Sequence, residues 1–336
     1  MRVGTDCSGI DAPIQALRNL GISHDHIFST DRDPLCGETI RANFQPRCLT
    51  VGPEADITRR DPAHVESVDL YVCGFPCQPF SKLGGRLGFE DPRGTVFFGC
   101  LEYIRTHRPK HYVLENVKTL LTIDEGRTWN HILNLLNAVG GYQVSHQIMD
   151  TKDYGIPQSR RRLYIIGVRR DDPDEPLFSF PPPLALGSSP LDYVVHDPTQ
   201  LDRDIVDEAR GSQRDTALSL TPLLTARGSV FVDILQYRSE SRIPLRGFPH
   251  ATCLLCTSYV WCTPESRWAA PQELLSLQGF PTDFVIPIGH HKFRKQIGNA
   301  MSVNVLEHLF ATLFHVPRPT APVGPYTTLS RPRRHS

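Results

Sequence analysis

No run in the chain approaches the ~18 uninterrupted apolar residues that a membrane span needs, so a membrane-embedded protein is not expected. Charge of one sign is also lacking: 36 Lys and Arg face 36 Asp and Glu, which removes the bulk signature of a polyanion-binding protein. Nine irregularly spaced cysteines in 336 residues are too sparse for the disulfide framework of a small secreted scaffold. No apolar signal-peptide core follows the N-terminal Met1, and strand-like sequence begins at once. Neither a leader nor an extra N-terminal module is therefore expected. Reduced thiols in an intracellular protein are expected, nuclear if the source is eukaryotic and cytoplasmic otherwise. No internal repeat recurs. What is present, 40% apolar and 21% charged residues, suffices for one large core or a core plus a smaller lobe.

From residue 1 to about 170, short apolar runs alternate with helical patterns, the signature of βαβ units and a parallel sheet. Strands are predicted at Ile27–Thr30, Val68–Cys73, His111–Glu115 and Leu163–Val168. Helices are predicted at Ala12–Leu20 and Thr128–Val139, the second stopped by Gly140-Gly141. Composition shifts at Arg169: Pro181, Pro182 and Pro183 and clusters of Asp, Gly and Ser make 171–200 poor material for regular elements. Strand-like pieces return near Val230–Tyr237 and Ala251–Val260, and helical patterns at Pro271–Leu277 and Ser302–Leu313. The expected division is a discontinuous domain of residues 1–170 plus 267–316, an irregular lobe at 171–266, and a disordered tail at 317–336.

The segment Gly74-Phe75-Pro76-Cys77-Gln78-Pro79-Phe80-Ser81 directly follows an apolar strand. It puts a thiol on a turn at the carboxyl end of a parallel strand, where open α/β sheets bind ligands. Nearby positive charge would make that thiol a nucleophile; the alternative is a buried structural cysteine. Glu115-Asn116-Val117 ends the next predicted strand, and Gln158-Ser159-Arg160-Arg161-Arg162 precedes the one after it. Asp6 and Gly9 lie between the first strand and first helix, Asp31 closes the next strand, and Asp56-Ile57 follows. Each aspartate alone reads equally well as a turn or N-cap residue.

Taken together, these segments resemble the C5-cytosine-specific DNA methyltransferase family, in its order and over residues 5 to about 306. The resemblance implies an α/β fold: a Rossmann-like S-adenosylmethionine-dependent methyltransferase sheet with a smaller, irregular target-recognition lobe. It implies Cys77 as the nucleophile, Glu115 at the N3 edge of cytosine, and Arg160 at its O2 with Arg162 supporting the pocket. Gln78, Ser81, Asn116 and Gln158 are the implied substrate contacts. Asp6, Gly9, Asp31, Asp56 and Asn299 of Gln296-Ile297-Gly298-Asn299-Ala300 are the implied contacts to S-adenosylmethionine. The implied partner is double-stranded DNA with the cytosine flipped out, since C5 is out of reach in a stacked duplex; a monomer is expected. The usual Phe-x-Gly-x-Gly is replaced by Cys7-Ser8-Gly9-Ile10-Asp11, and Ser276 stands where Arg usually precedes Leu-Gln-Gly-Phe-Pro. Asp91-Pro92-Arg93-Gly94 also matches, across a glycine-rich lid candidate at 81–90.

The 171–266 lobe is the expected reader of flanking bases, yet it holds 14 Asp and Glu against seven Arg and no Lys. Phosphate binding favours the opposite sign, so Arg227, Arg238, Arg242 and Arg246 are its expected DNA contacts. His250, Cys253, Cys256 and Cys262 include one C-x-x-C pair but no second, and no metal is expected. One branch of the family methylates tRNA; the residues flanking Cys77 are more similar to the DNA enzymes. A non-catalytic relative is the other alternative, against which stands the joint presence of Cys77, Glu115, Arg160 and Arg162.

Overall fold

A computed structural model describes residues 1–76, 96–171, 174, 176–196, 212–320 and 324. Two compact units divide the chain: Met1–Met149 with Arg161–Pro181 and Leu309–Pro317, and Asp150–Arg160 with Pro182–His308 and Arg318–Ser336.

The alternating pattern of the first unit produces seven strands: β1 (Arg2–Asp6), β2 (Asp25–Asp31), β3 (Cys48–Val51), β4 (Leu70–Cys73), β5 (His111–Val117), β6 (Tyr142–Asp150) and β7 (Arg161–Arg169). They lie in the order β3-β2-β1-β4-β5-β7-β6. The five strands from β3 to β5 are parallel, and β7 runs antiparallel to β5. All four residues of β4 are buried, which is why it reads as an unbroken apolar run: helices cover both faces of such a sheet. The connections supply α1 (Ala12–Asn19), α2 (Pro34–Asn43), α3 (Val96–His107) and α4 (Arg127–Ala138). Both α1 and α2 carry proline in the first turn, where its missing N–H costs nothing, and Asp33 caps α2 through Leu35 N–H. On α3, Phe97, Leu101 and Ile104 share one fully buried face in a core with Tyr71, Phe75 and Leu114. Each such side chain contributes roughly 1.5–3 kcal/mol. From β1 the order runs outward to β2 on one side and to β4 on the other. The carboxyl ends of β1 and β4 therefore flank the switch point, where a crevice for ligands opens.

In the second unit a small antiparallel sheet joins β8 (Phe231–Asp233), β9 (Val260–Cys262) and β10 (Arg267–Trp268). Its helices are α5 (Ser212–Ala226), α6 (Pro271–Leu277) and α7 (His290–Asn299), with α8 (Val303–Leu313) running on into residues of the first unit. The helix α5 arises within the lobe read as irregular. Ala217, Leu220 and Leu224, at helical spacing, pack with Val232, Trp261 and Trp268. Thr221 Oγ1 accepts from Trp261 Nε1 at 3.0 Å, and this packing outweighs the helix-breaking tendency of the internal Pro222.

Of the strand expected at Ala251–Val260, an isolated bridge from Ala251 to Gln158 and Val260, the first residue of β9, are formed. The buried Asp233 carboxylate redirects the chain instead: it accepts from Leu235 N (2.9 Å), Tyr259 N (3.2 Å), Gln236 Nε2 (2.6 Å) and Ser258 Oγ (2.7 Å). Amides bonded to a carboxylate are not available for a ladder. Glu273 is likewise enclosed, holding Arg267 through two bonds of 2.9 and 2.8 Å and the Ala270 N–H at 2.6 Å. Arg227, one of the arginines expected at DNA, donates to the Ile243 and Pro244 carbonyls at 2.9 and 3.1 Å. No helix among the described residues is long and apolar enough to cross a membrane.

Candidate active site

Antiparallel pairing of β5 with β7 sets Val117 opposite Arg162 and Glu115 opposite Tyr164. Glu115 and Arg162 are therefore diagonal neighbours on one face of the sheet. Arg162 Nε lies 3.2 Å from Glu115 Oε1, and each side chain is only 11% exposed. With water largely excluded, the attraction is stronger than at a surface. On the opposite face, the Asn116 amide donates to the Phe75 carbonyl at 3.2 Å, and its oxygen accepts from Val117 N–H at 2.8 Å. This fixes the main chain two residues before Cys77. Cys77 itself, Gln78, Ser81, the 81–90 loop and Asp91-Pro92-Arg93-Gly94 lie outside the described residues.

At the carboxyl ends of β1 and β2, the backbone N–H groups of Gly9 and Asp33 each donate to the Asp31 carboxylate at 2.8 Å. Burial raises the Asp31 pKa, partly offset by these two bonds. Gly9 has φ 56, and a Cβ built on it meets nothing within 4 Å. The loop backbone is thus open on that side, as close approach of a ligand requires. This open glycine beside a carboxylate fits a nucleoside-bearing methyl donor.

Asp6, an implied donor contact, is enclosed. It is 1% exposed, and Arg60 grips it at 2.8 and 2.5 Å while the Tyr71 hydroxyl donates at 2.8 Å. Asp56 accepts from Thr58 N and Oγ1 at 3.1 and 2.7 Å, with Arg32 and Arg59 near 4 Å (3.8 and 3.9 Å). Against burial, these groups hold its pKa below the ordinary value.

A family model described as C-5 cytosine-specific DNA methylase matches residues 6–315. The chain belongs to this family. It is 35% identical over 289 residues to the type II methyltransferase M.NgoBI of Neisseria gonorrhoeae, covering 84% of each chain. To M.HpaII of Haemophilus parainfluenzae it is 33% identical over 327 residues, covering 87% of this chain and 83% of the relative. A crystal structure of a Spodoptera frugiperda DNMT2 variant shares the fold, with TM-score 0.64 at 17% identity, over 93% of this chain and 99% of that one. Membership in the cytosine methylase family implies a methyl donor.

Three residues that the family resemblance assigns to substrate or donor lie in the second unit. Gln158 is fully buried, donating to the Leu277 carbonyl (2.6 Å) and Gln278 Oε1 (2.8 Å) and accepting from Leu254 N–H at 3.3 Å. Arg160 donates to the carbonyls of Leu254, Gly298 (3.1 Å) and Ala300 (2.7 Å). It thereby ties the end of α7 to the chain around Leu254. Asn299 is exposed on the last turn of α7. Gly298 is a glycine for a steric reason, since a Cβ there would sit 2.2 Å from the Leu255 carbonyl carbon. Among the described residues, no group of three or more His, Cys, Asp or Glu is placed to hold a metal ion. Arg60 was missed from sequence: it stands 54 positions from Asp6 and in no motif.

Proposed function

We propose that this protein transfers a methyl group from S-adenosylmethionine to C5 of cytosine in double-stranded DNA, with Cys77 as the nucleophile on a base turned out of the helix. What supports this most is the Glu115–Arg162 pair, whose Glu115 is on the strand beside the one that leads into Gly74-Phe75-Pro76-Cys77. Cytosine C5 is too weak a nucleophile unaided. Addition of the Cys77 thiolate to C6 pushes electron density through the ring, and Glu115 meets it at N3 with a proton or a strong hydrogen bond. Arg162, neighbour to that carboxyl, takes the place at O2 that the resemblance gave to Arg160, being permanently charged and planar. Arg160 acts through the segments it ties together.

When bound, the donor supplies an electrophilic methyl group on a sulfonium. Gly9 would let the loop backbone approach it, and Asp31 would accept from its ribose hydroxyls. Asp6 and Asp56 would shape that pocket, with Asn299 a further contact. Once C5 is methylated, loss of its proton and cleavage of the C6–S bond return the thiolate to Cys77. Gln78, Ser81, Asn116 and Gln158 complete the base pocket in this proposal. Residues 1–170 and 267–316 carry donor binding and chemistry, and 171–266 reads the flanking bases. The enzyme acts as a monomer inside the cell, nuclear in a eukaryote and cytoplasmic otherwise.

The test is covalent trapping on a duplex carrying 5-fluorocytosine, together with labelled-methyl incorporation into duplex DNA and into tRNA. The wild type is expected to form a denaturant-stable adduct and to methylate the duplex. Cys77→Ser should form none and lose at least ~10⁴-fold in rate, on the scale of other lost nucleophiles. Full-rate methylation by Cys77→Ser, or methyl transfer confined to tRNA, would falsify the proposal.

A further inference from the structure

The turn from β1 into α1 places Cys7 (φ 49), Gly9 (φ 56) and Asp11 (φ 55) in the left-handed region. At Asp11 the family pattern has glycine, which adopts this conformation freely. Aspartate tolerates it because a short polar side chain can bond locally.

The carboxylate does not serve the helix it precedes: Asp11 is the N-cap of α1, yet its side chain makes no capping bond. It turns inward, fully buried, and accepts from Thr5 Oγ1 of β1 at 2.7 Å and Ser29 Oγ of β2 at 2.6 Å. Ser8 extends the grip. Its Oγ lies 2.8 Å from Thr5 Oγ1 and accepts from Thr30 N–H at 2.8 Å.

Among the described residues, the one salt-bridge partner of this carboxylate is His26. His26 of β2 bonds Ser29 Oγ through Nε2 at 2.7 Å and stands 3.7 Å from Asp11 Oδ2. Since Ser29 donates to Asp11, His26 Nε2 donates to Ser29, and burial keeps the ring neutral by lowering its pKa to about 3. Asp31 repels the Asp11 charge and Arg18 of α1 attracts it.

We propose that Asp11 is the positioning residue of the methyl-donor loop: its carboxylate, held by Thr5 and Ser29, locks the left-handed turn so that Gly9 is presented to the donor. The inference rests on the donor site proposed above. In this chain an anchored carboxylate replaces a permissive glycine, so the loop is fixed to both strands rather than free to adjust. Donor affinity depends on Asp11, while the methyl-transfer step does not. The ionised form accepts two charge-assisted bonds from the hydroxyls; protonation replaces them with weaker neutral ones. Binding the cationic donor therefore favours ionisation and releases a proton near neutral pH, where burial has lifted the Asp11 pKa to about 7.

The experiment is calorimetric titration of the full chain with S-adenosylmethionine in two buffers of different ionisation enthalpy, alongside KM and kcat for the donor. Asp11→Gly keeps the turn but loses the anchor; Asp11→Asn keeps the shape and one acceptor without the charge. Donor Kd and KM are expected to rise about tenfold in Asp11→Gly, equivalent to one charge-assisted hydrogen bond, with kcat within about twofold. Asp11→Asn should recover most of that affinity yet lose the proton release. A thermal melt of each variant confirms folding, and Ser29→Ala provides a milder break of the same anchor. Wild-type affinity in folded Asp11→Gly, or proton release unchanged in Asp11→Asn, would overturn the inference. Failure of the wild type to bind the donor at all would instead sink the donor site itself.

Discussion

Removing Arg60 isolates a buried charge, and the cost can be worked from its surroundings. Asp6 lies at the carboxyl end of β1, 1% exposed, and holds Arg60 through two bonds of 2.8 and 2.5 Å with Tyr71 as its third partner. In Arg60→Met the apolar stem is largely kept, but the carboxylate retains only the Tyr71 hydroxyl. Stranding one half of a buried pair costs about 3–5 kcal/mol, a large share of a typical 5–15 kcal/mol domain stability. A fall in Tm on the order of 10 °C follows for a unit of this size.

The reverse change is milder. In Asp6→Asn the orphaned guanidinium, whose side chain is already 18% exposed, can turn toward water, so about 1–2 kcal/mol is expected. The double variant removes both charges and should be more stable than Arg60→Met alone. Urea unfolding measures the four proteins, and hydrogen exchange of β1 and β4 peptides localises the loss. A cost below 1 kcal/mol for Arg60→Met, or a double variant no better than that single one, would refute the ion-pair account. If Asp6 contacted the donor directly instead, Asp6→Asn would weaken donor binding while leaving stability untouched.

Arg160 and Arg162 should separate in the same pair of assays. Arg160→Ala removes the guanidinium from three buried carbonyls, of which Ala300 keeps the bond from Gln278 Nε2 at 3.0 Å, and is expected to cost about 3 kcal/mol of stability. Arg162→Ala should remain folded and lose about 10²–10³-fold in kcat, as for a lost transition-state donor; equal loss of stability in both variants would remove the distinction. Asp11 adds a pH dependence of defined sign. Its pKa is raised from 3.8 in the unfolded chain to about 7 in the fold, so the native state binds the extra proton between those values. Its contribution is fully present below pH 4 and lost as pH rises through 7. The stability of Asp11→Asn relative to wild type should thus grow by about 2 kcal/mol between pH 5 and 7; chemical denaturation at the two pH values reads it, and a pH-independent difference would contradict it.

The elements legible in the sequence are those whose burial pattern is uniform. β4 and β5 are buried along nearly their whole length, and they emerge within two residues of expectation. The four residues of β3 are half-exposed and mixed in character, and β6 alternates without a clean period, so neither announces itself. The helix α5 is masked by Pro222 and by flanking polar residues; only its contacts with Trp261 and Trp268 make it worthwhile. Gly140-Gly141, in contrast, stops α4 at Ala138 as read.

At the site, sequence order conveyed which segments matter but not which atoms each side chain would meet. Glu115 and Arg162 are 47 positions apart, and their meeting follows from a register between antiparallel strands that no local pattern encodes. Arg160 and Arg162 look equivalent in the Gln-x-Arg-x-Arg pattern. Yet Arg160 precedes β7 and meets carbonyls, whereas Arg162 lies within the strand and meets a carboxylate. Asp11 makes the same point from the other direction. Its replacement of a glycine was visible as a departure from pattern, but a substitution that strains the turn and one that anchors it are indistinguishable in one dimension. Thr5, 24 residues before Ser29, decides between them: two hydroxyls at 2.7 and 2.6 Å convert a costly backbone conformation into a fixed one. A departure from a motif is therefore informative only with the partners that receive the new side chain.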